Sequence, residues 1–112
     1  MCKELVWVNL CPHDVVVHYH GKERTFRASG LTARVACSQV TDGSLEGIPV
    51  CRTTFSDVVG LPVPVAGVVY IVSRLVADVL QHTRLDVVCP DTGKTCIRGE
   101  NGNIIAVRGF SR

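Results

Sequence analysis

Five consecutive residues, Val68 to Val72 (Val-Val-Tyr-Ile-Val), limit the folds open to this 112-residue chain more than any other feature. A β-branched and aromatic run without polar alternation suits a strand buried on both faces. Val69 and Ile71 are therefore expected on one face of a sheet and Tyr70 and Val72 on the other, both covered. At Ser73 the period changes. Leu75, Val76, Val79 and Leu80 fall at helical spacing, with Asp78 and Gln81 on the opposite side. Ser73 stands at the N-cap, where its hydroxyl can accept a backbone N–H of the first turn. A strand that delivers the chain into a helix start brings free N–H groups together, a setting that suits anions.

The other elements follow from turn chemistry. Leu5 to Leu10 reads as a strand, and Cys11-Pro12-His13-Asp14 as a turn, because proline keeps the residue before it out of helical space. Val15 to Tyr19 and Arg24 to Arg27 read as a hairpin across His20-Gly21-Lys22-Glu23. Thr32 to Val40 is expected as a strand with Arg34 at its middle, followed by a tight turn at Thr41-Asp42-Gly43-Ser44 and a second turn at Glu46-Gly47. Ile48 to Thr54 and Val58-Val59 are extended. Pro62 and Pro64 make the Gly60–Gly67 segment a surface connector. Leu85 to Val88 is a brief strand, and Thr95 to Arg98 pairs with Asn103 to Val107 across an Asn-Gly turn.

Together these give one domain over residues 1–112 in the α+β class. The expectation is a mostly antiparallel, barrel-like or strongly curved sheet of about seven or eight short strands, with one helix over about residues 74–82. Valine dominates a composition that is 46% hydrophobic and only 5% aromatic, which favours strands.

Charge and cysteine usage narrow the function classes. A net charge of +2 with twelve scattered Lys/Arg lacks the basic stripe of a nucleic-acid binder. No apolar run approaches the ~18–20 residues of a membrane helix, and Met1-Cys2-Lys3-Glu4 leads into a strand without an apolar leader core. A soluble, cytoplasmic protein is expected. The six cysteines then read as free thiols, and no C-x-x-C pair suggests a redox or zinc motif.

Several motifs reduce to ordinary structure. Asp91-Thr92-Gly93 matches the aspartic-protease triplet, but Cys89-Pro90 replaces the hydrophobic strand that should precede it, and an Asp-Thr-Gly turn is the simpler reading. Gly93-Lys94-Thr95 lacks both the upstream glycine and the following helix of a phosphate loop. His18 and His20 alternate along a strand and form a weak metal-ligand candidate, with Cys11, His13 and Asp14 nearby, but exposed hairpin histidines are the simpler reading and no metal site is expected. Cys11 with His13 is the one sequence-local thiol–imidazole pair. No catalytic set emerges, and no cofactor is expected. Arg34, Arg74, Arg84, Arg98 and Arg108 lie in or at the ends of apolar strands or open the helix. Arginine's planar fork suits phosphate or carboxylate, so Ser73, Arg74 and Arg34 are the residues expected to hold any anionic ligand.

Five segments together resemble a known group. They are Asn9–Val15, Ser29–Val35, Gly60–Ser73, Asp86–Asp91 and Arg98–Gly109, in this order and spacing. The chain resembles small, standalone proteins of tailed phages and prophages, usually of unassigned function. One departure is Cys11, where that pattern has threonine before the proline. The resemblance implies a non-enzymatic accessory protein acting in counter-defence. It would bind and inhibit a host immune effector, for example a CRISPR nuclease, or sequester a nucleotide-type immune signal. The alternatives are a small virion structural or assembly protein and a small metal- or cysteine-dependent hydrolase. The expected partners are thus a host defence protein or a nucleotide-type signal. Neither a membrane nor direct nucleic-acid contact is expected, and homo-oligomerisation stays open.

Overall fold

The computed structural model describes residues 4–80 and 83–112. Its centre is a four-stranded mixed sheet in the order β1 (Val6–Asn9), β6 (Val68–Ile71), β7 (Val87–Pro90), β10 (Phe110–Ser111). β6 runs parallel to both neighbours, with Asn9 opposite Ile71 and Ile71 opposite Val88. Parallel neighbours need a crossover. Between β6 and β7 that crossover carries α1 (Arg74–Leu80). The expected continuation of the helix over 81–82 lies outside the described residues.

Around this sheet lie three antiparallel hairpins. They are β2 (Val15–Tyr19) with β3 (Lys22–Phe26), β4 (Cys37–Leu45) with β5 (Ile48–Phe55), and β8 (Ile97–Arg98) with β9 (Ile104–Ala106). The α+β class and the single helix are as expected among the described residues. Among the described residues the strands number ten rather than seven or eight, and no barrel closes. Antiparallel pairs outnumber parallel ones among the described strands, yet the central pairings are parallel. β1 stands at one edge of the central sheet and β10 at the other, and the two do not pair.

The sheet separates two apolar layers, and β6 feeds both. Ile71, fully buried, and half-buried Val69 join Val15, Val17, Phe26 and Val107 beneath the β2–β3 hairpin and β9. Tyr70 and Val72 join Leu10, Ala33, Val76 and Val87 beneath the helix and the 60–66 connector. The alternation expected for this strand is therefore present, with both faces covered.

Two turns explain how the hairpins register. At His20-Gly21 both residues have positive φ, the two-residue geometry that matches strand twist, so Tyr19 pairs with Lys22. Lys22 and Glu23 consequently lie in strand β3 rather than in the turn. Glu46-Gly47 repeats that geometry between Leu45 and Ile48. The turn expected at Thr41–Ser44 is instead a bulge inside β4: Asp42 and Gly43 are an extra step opposite Val50, with Gly43 left-handed at φ 81°. The strand expected over Thr32–Val40 also shifts. Arg34 makes only an isolated bridge to Val59, with both N–H···O distances 2.8 Å, and regular pairing begins at Cys37.

Candidate functional site

The carboxyl ends of β1 and β6 lie side by side, and their chains then diverge. After β1 the chain turns through Cys11–Asp14 into the β2–β3 hairpin on one face. After β6 it passes through Val72 and Ser73 into α1 on the other. Divergence at the carboxyl ends of parallel strands opens a crevice, the usual position for a ligand in open α/β sheets. A cleft of about 310 Å³ occupies it. Val15, Val16, Ile104, Ile105 and Val107 contribute apolar wall, while His13, Asp14, Ser73, Arg74 and Thr92 supply its polar groups.

Asn9 builds the wall of this cleft. It is the one buried polar residue among those described. Its Nδ2 donates to the carbonyls of His13 and Phe26, each at 2.9 Å, and its Oδ1 accepts the Cys11 N–H at 2.9 Å. That last bond is an Asx turn, which folds the chain back ahead of Pro12. The Asn9 carbonyl in turn accepts from the Ser29 N–H at 3.1 Å and the Ser29 hydroxyl at 2.7 Å. Asp14 fixes the other end of the turn by accepting the Ala28 N–H at 2.8 Å.

Ser73 and Arg74 thus reach the same cleft. Ser73 Oγ accepts the Val76 N–H at 3.4 Å, a long cap bond, and opens a helix of seven residues. Arg74 Nε lies 3.2 Å from Asp78 Oδ1 in a solvent-exposed pair. Arg34 does not join them, being held on the bridge to Val59 and lining no part of this cleft. The remaining arginines are dispersed. Arg98 donates to the Gly102 carbonyl at 2.7 Å, and Arg108 Nε donates to the Thr95 carbonyl at 3.1 Å.

Arg84 is fastened most firmly. Its Nε and one terminal nitrogen grip the two oxygens of Asp86, each at 2.8 Å, and the same nitrogen reaches the Pro62 carbonyl at 2.9 Å. This hydrogen-bonded fork holds the Asp86 carboxyl below its ordinary range and raises the Arg84 guanidinium. It anchors the connector beside the helix.

The histidine candidates separate. His18 Nε2 lies 3.2 Å from Glu23 Oε2 across the hairpin, whereas His20 belongs to the turn, with φ 49°. His13 Nδ1 contacts the Asp14 carbonyl oxygen at 3.0 Å. Among the described residues no three His, Cys, Asp or Glu side chains gather as metal ligands would. Cys11 is buried, and burial, helped by nearby Cys89, pushes its thiol up to about 11. Burial pushes the Cys89 thiol up as well. Both shifts run opposite to that of an activated nucleophile.

His13 and Asp14, weak metal-ligand neighbours in the sequence, line the cleft instead, and Thr92 joins them. The Asn-x-Cys-Pro order carries an Asx-turn signal that marks the start of the cleft wall. No comparable local signal marks Thr92, because the fold brings it in from a distant loop. Comparison of the chain with protein-family models, curated proteins and solved structures yields no match. Among the described residues, no helix is long and apolar enough to cross a membrane.

Proposed function

We propose that this chain is a phage- or prophage-encoded accessory protein that acts in counter-defence without catalysis of its own. It binds a host defence protein and blocks it by occupying part of its surface. The resemblance in sequence supplies the biological setting, and the composition of the cleft supports a protein partner. Its walls are apolar, and its one arginine, Arg74, is already engaged by Asp78. A polyphosphate or cyclic nucleotide calls for converging cationic forks, and Arg34, the second expected fork, lies elsewhere. An apolar side chain from a partner loop, hydrogen-bonded at its backbone by Ser73 or Thr92, suits this mixture better. Raised thiols and scattered histidines favour binding over a hydrolase.

The test is phage plating on a defence-active host that expresses either the wild-type chain or Ile105→Asp. Ile105 is 53% exposed on the cleft wall, so the substitution alters the surface with little effect on the core. The wild type is expected to restore plating and to co-purify with a defence protein whose activity it inhibits when the two are mixed. The aspartate variant should do neither. Failure of the wild type to restore plating on any defence-active host would remove the counter-defence reading. A phosphate-bearing adduct in native mass spectra, lost on Arg74→Ala, would replace the inhibitor with a signal sponge. Recovery of the protein in washed virions would replace it with a structural component.

A further inference from the structure

The β4–β5 hairpin is the feature that neither the cleft nor the core accounts for. Every residue of β4 is exposed, and the molecule extends 60 Å along its longest axis against 24 Å along its shortest. Its radius of gyration is 17.1 Å, where a compact chain of this length has about 13 Å. A two-stranded hairpin alone in water is marginal at best, so a projecting one calls for a covering surface. Strand register places Val40, Leu45, Ile48 and Val50 on the same face of this arm. Leu45 is 70% exposed and Ile48 66% exposed, both flanking the Glu46-Gly47 turn. The tip, from Thr41 to Cys51, carries Asp42 and Glu46 and no basic residue.

A surface with the opposite properties lies on the body. Trp7, Phe26 and Phe110 pack together with ring centroids 4.9–5.6 Å apart, Trp7 stacked on Phe110 and Phe26 edge-on to Phe110, and floor a groove of about 310 Å³. Tyr19, Arg24 and Arg108 complete it. The Arg24 guanidinium lies 4.5 Å from the Phe26 ring centroid and 5.7 Å from that of Trp7. Among the described residues neither Arg24 nor Arg108 has a carboxylate within salt-bridge distance. Aromatic and arginine residues gathered in one groove are the composition of a binding hot spot.

We propose that the arm of one molecule docks in the aromatic groove of a second copy, and reciprocally, making a two-fold dimer with exchanged arms. Leu45 and Ile48 enter the groove, while Asp42 and Glu46 meet Arg24 and Arg108. Within one molecule no residue of the arm lines the groove, so an arm that fills it belongs to another copy. Reciprocal contacts close after two subunits and leave no unfilled groove. This assembly stands apart from the host target, because it uses neither wall of the cleft.

Sedimentation equilibrium at micromolar concentration tests it. The wild type should sediment at twice the 12.1 kDa chain mass. Leu45→Asp with Ile48→Asp should sediment as a monomer while keeping the wild-type circular dichroism spectrum. Glu46→Arg alone and Arg24→Glu alone should each weaken dimerisation by about tenfold or more, and the two in one chain should recover most of that loss. A monomeric wild type would overturn the proposal. So would a dimer that tolerates the arm-tip pair, or a charge swap that recovers nothing. Open-ended polymers would overturn the two-fold closure.

Discussion

Asn9→Ala is the substitution whose cost can be worked most directly from the structure. The side chain is 2% exposed and makes three hydrogen bonds of 2.9 Å, to His13, Phe26 and Cys11. Each such bond is worth about 1 kcal/mol net, and a buried group left without its partner costs about 1–3 kcal/mol. The Phe26 carbonyl and Cys11 N–H bonds are buried, while the bond to His13 is only partly so and water can take it over. Two buried partners left unmet sum to about 2–6 kcal/mol, a large share of the about 5–15 kcal/mol that holds a domain folded. Urea denaturation at neutral pH measures it.

Asn9→Asp separates this account from simple loss of packing. The carboxylate keeps the volume and still accepts the Cys11 N–H, but it faces the His13 and Phe26 carbonyls with no proton to give. Its folded pKa must therefore rise above the ordinary ~3.9. A carboxyl with a raised folded pKa is least harmful when protonated. The deficit of this variant against wild type should accordingly be smallest below about pH 4 and grow as pH rises through the folded value. A loss under about 1 kcal/mol for the alanine variant, or an aspartate variant equal to wild type at pH 7, would refute the reasoning.

Two further outcomes bear on the frame around the cleft. Ile71→Ala should cost about 2–5 kcal/mol, since the fully buried side chain sits under the β2–β3 hairpin with little freedom to collapse; a loss below about 0.5 kcal/mol would place it at the surface. Arg84→Met should cost about 1–3 kcal/mol at pH 7, because it unpairs Asp86 and frees the Pro62 carbonyl. The Asp86 carboxyl is depressed in the folded protein, so its contribution is present above the unfolded value of ~3.9 and is lost as pH falls through the folded one. Paired urea midpoints near pH 7 and pH 2 should show the Arg84 penalty shrinking in acid, and a penalty independent of pH would mean the fork is not what stabilises this corner.

The elements legible in the sequence were those whose signal is local. β6 announces itself because two-sided burial removes the polar alternation of a surface strand, and the change of period at Ser73 marks the helix. The β2–β3 hairpin is legible through His20-Gly21. The β4–β5 hairpin was harder, because Asp42-Gly43 and Glu46-Gly47 both offer turns. Cross-strand register decides between them, since only a turn at Glu46-Gly47 opposes Leu45 to Ile48 and absorbs Asp42-Gly43 as a bulge. The parallel pairing of β1 with β6 joins residues some sixty positions apart and has no turn to signal it. The composition of β1 is consistent with that pairing, since Val6, Trp7, Val8 and Leu10 alternate little with polar residues, as strands of parallel sheets do. β10 is two residues long and leaves no period to read. The same distinction holds at the cleft. Ser73 and Arg74 follow from the strand-to-helix junction, whereas Thr92, Ile104 and Ile105 arrive through long-range topology.

Asn9 also ties together the two surfaces to which functions are proposed. One Nδ2 hydrogen bond ends on His13, at the wall of the cleft, and the other on Phe26, in the floor of the aromatic groove. Between them, Cys11, Ile71 and Phe26 pack in the same apolar layer. Close-packed layers transmit displacements rather than absorbing them. Were a ligand to pull on the Pro12 turn, the Asn9 amide would offer a hydrogen-bonded path to the Phe26 carbonyl beneath the groove, and a docked arm would have the same path in reverse. Any coupling between partner binding and dimerisation would be reciprocal in free energy, whichever event comes first.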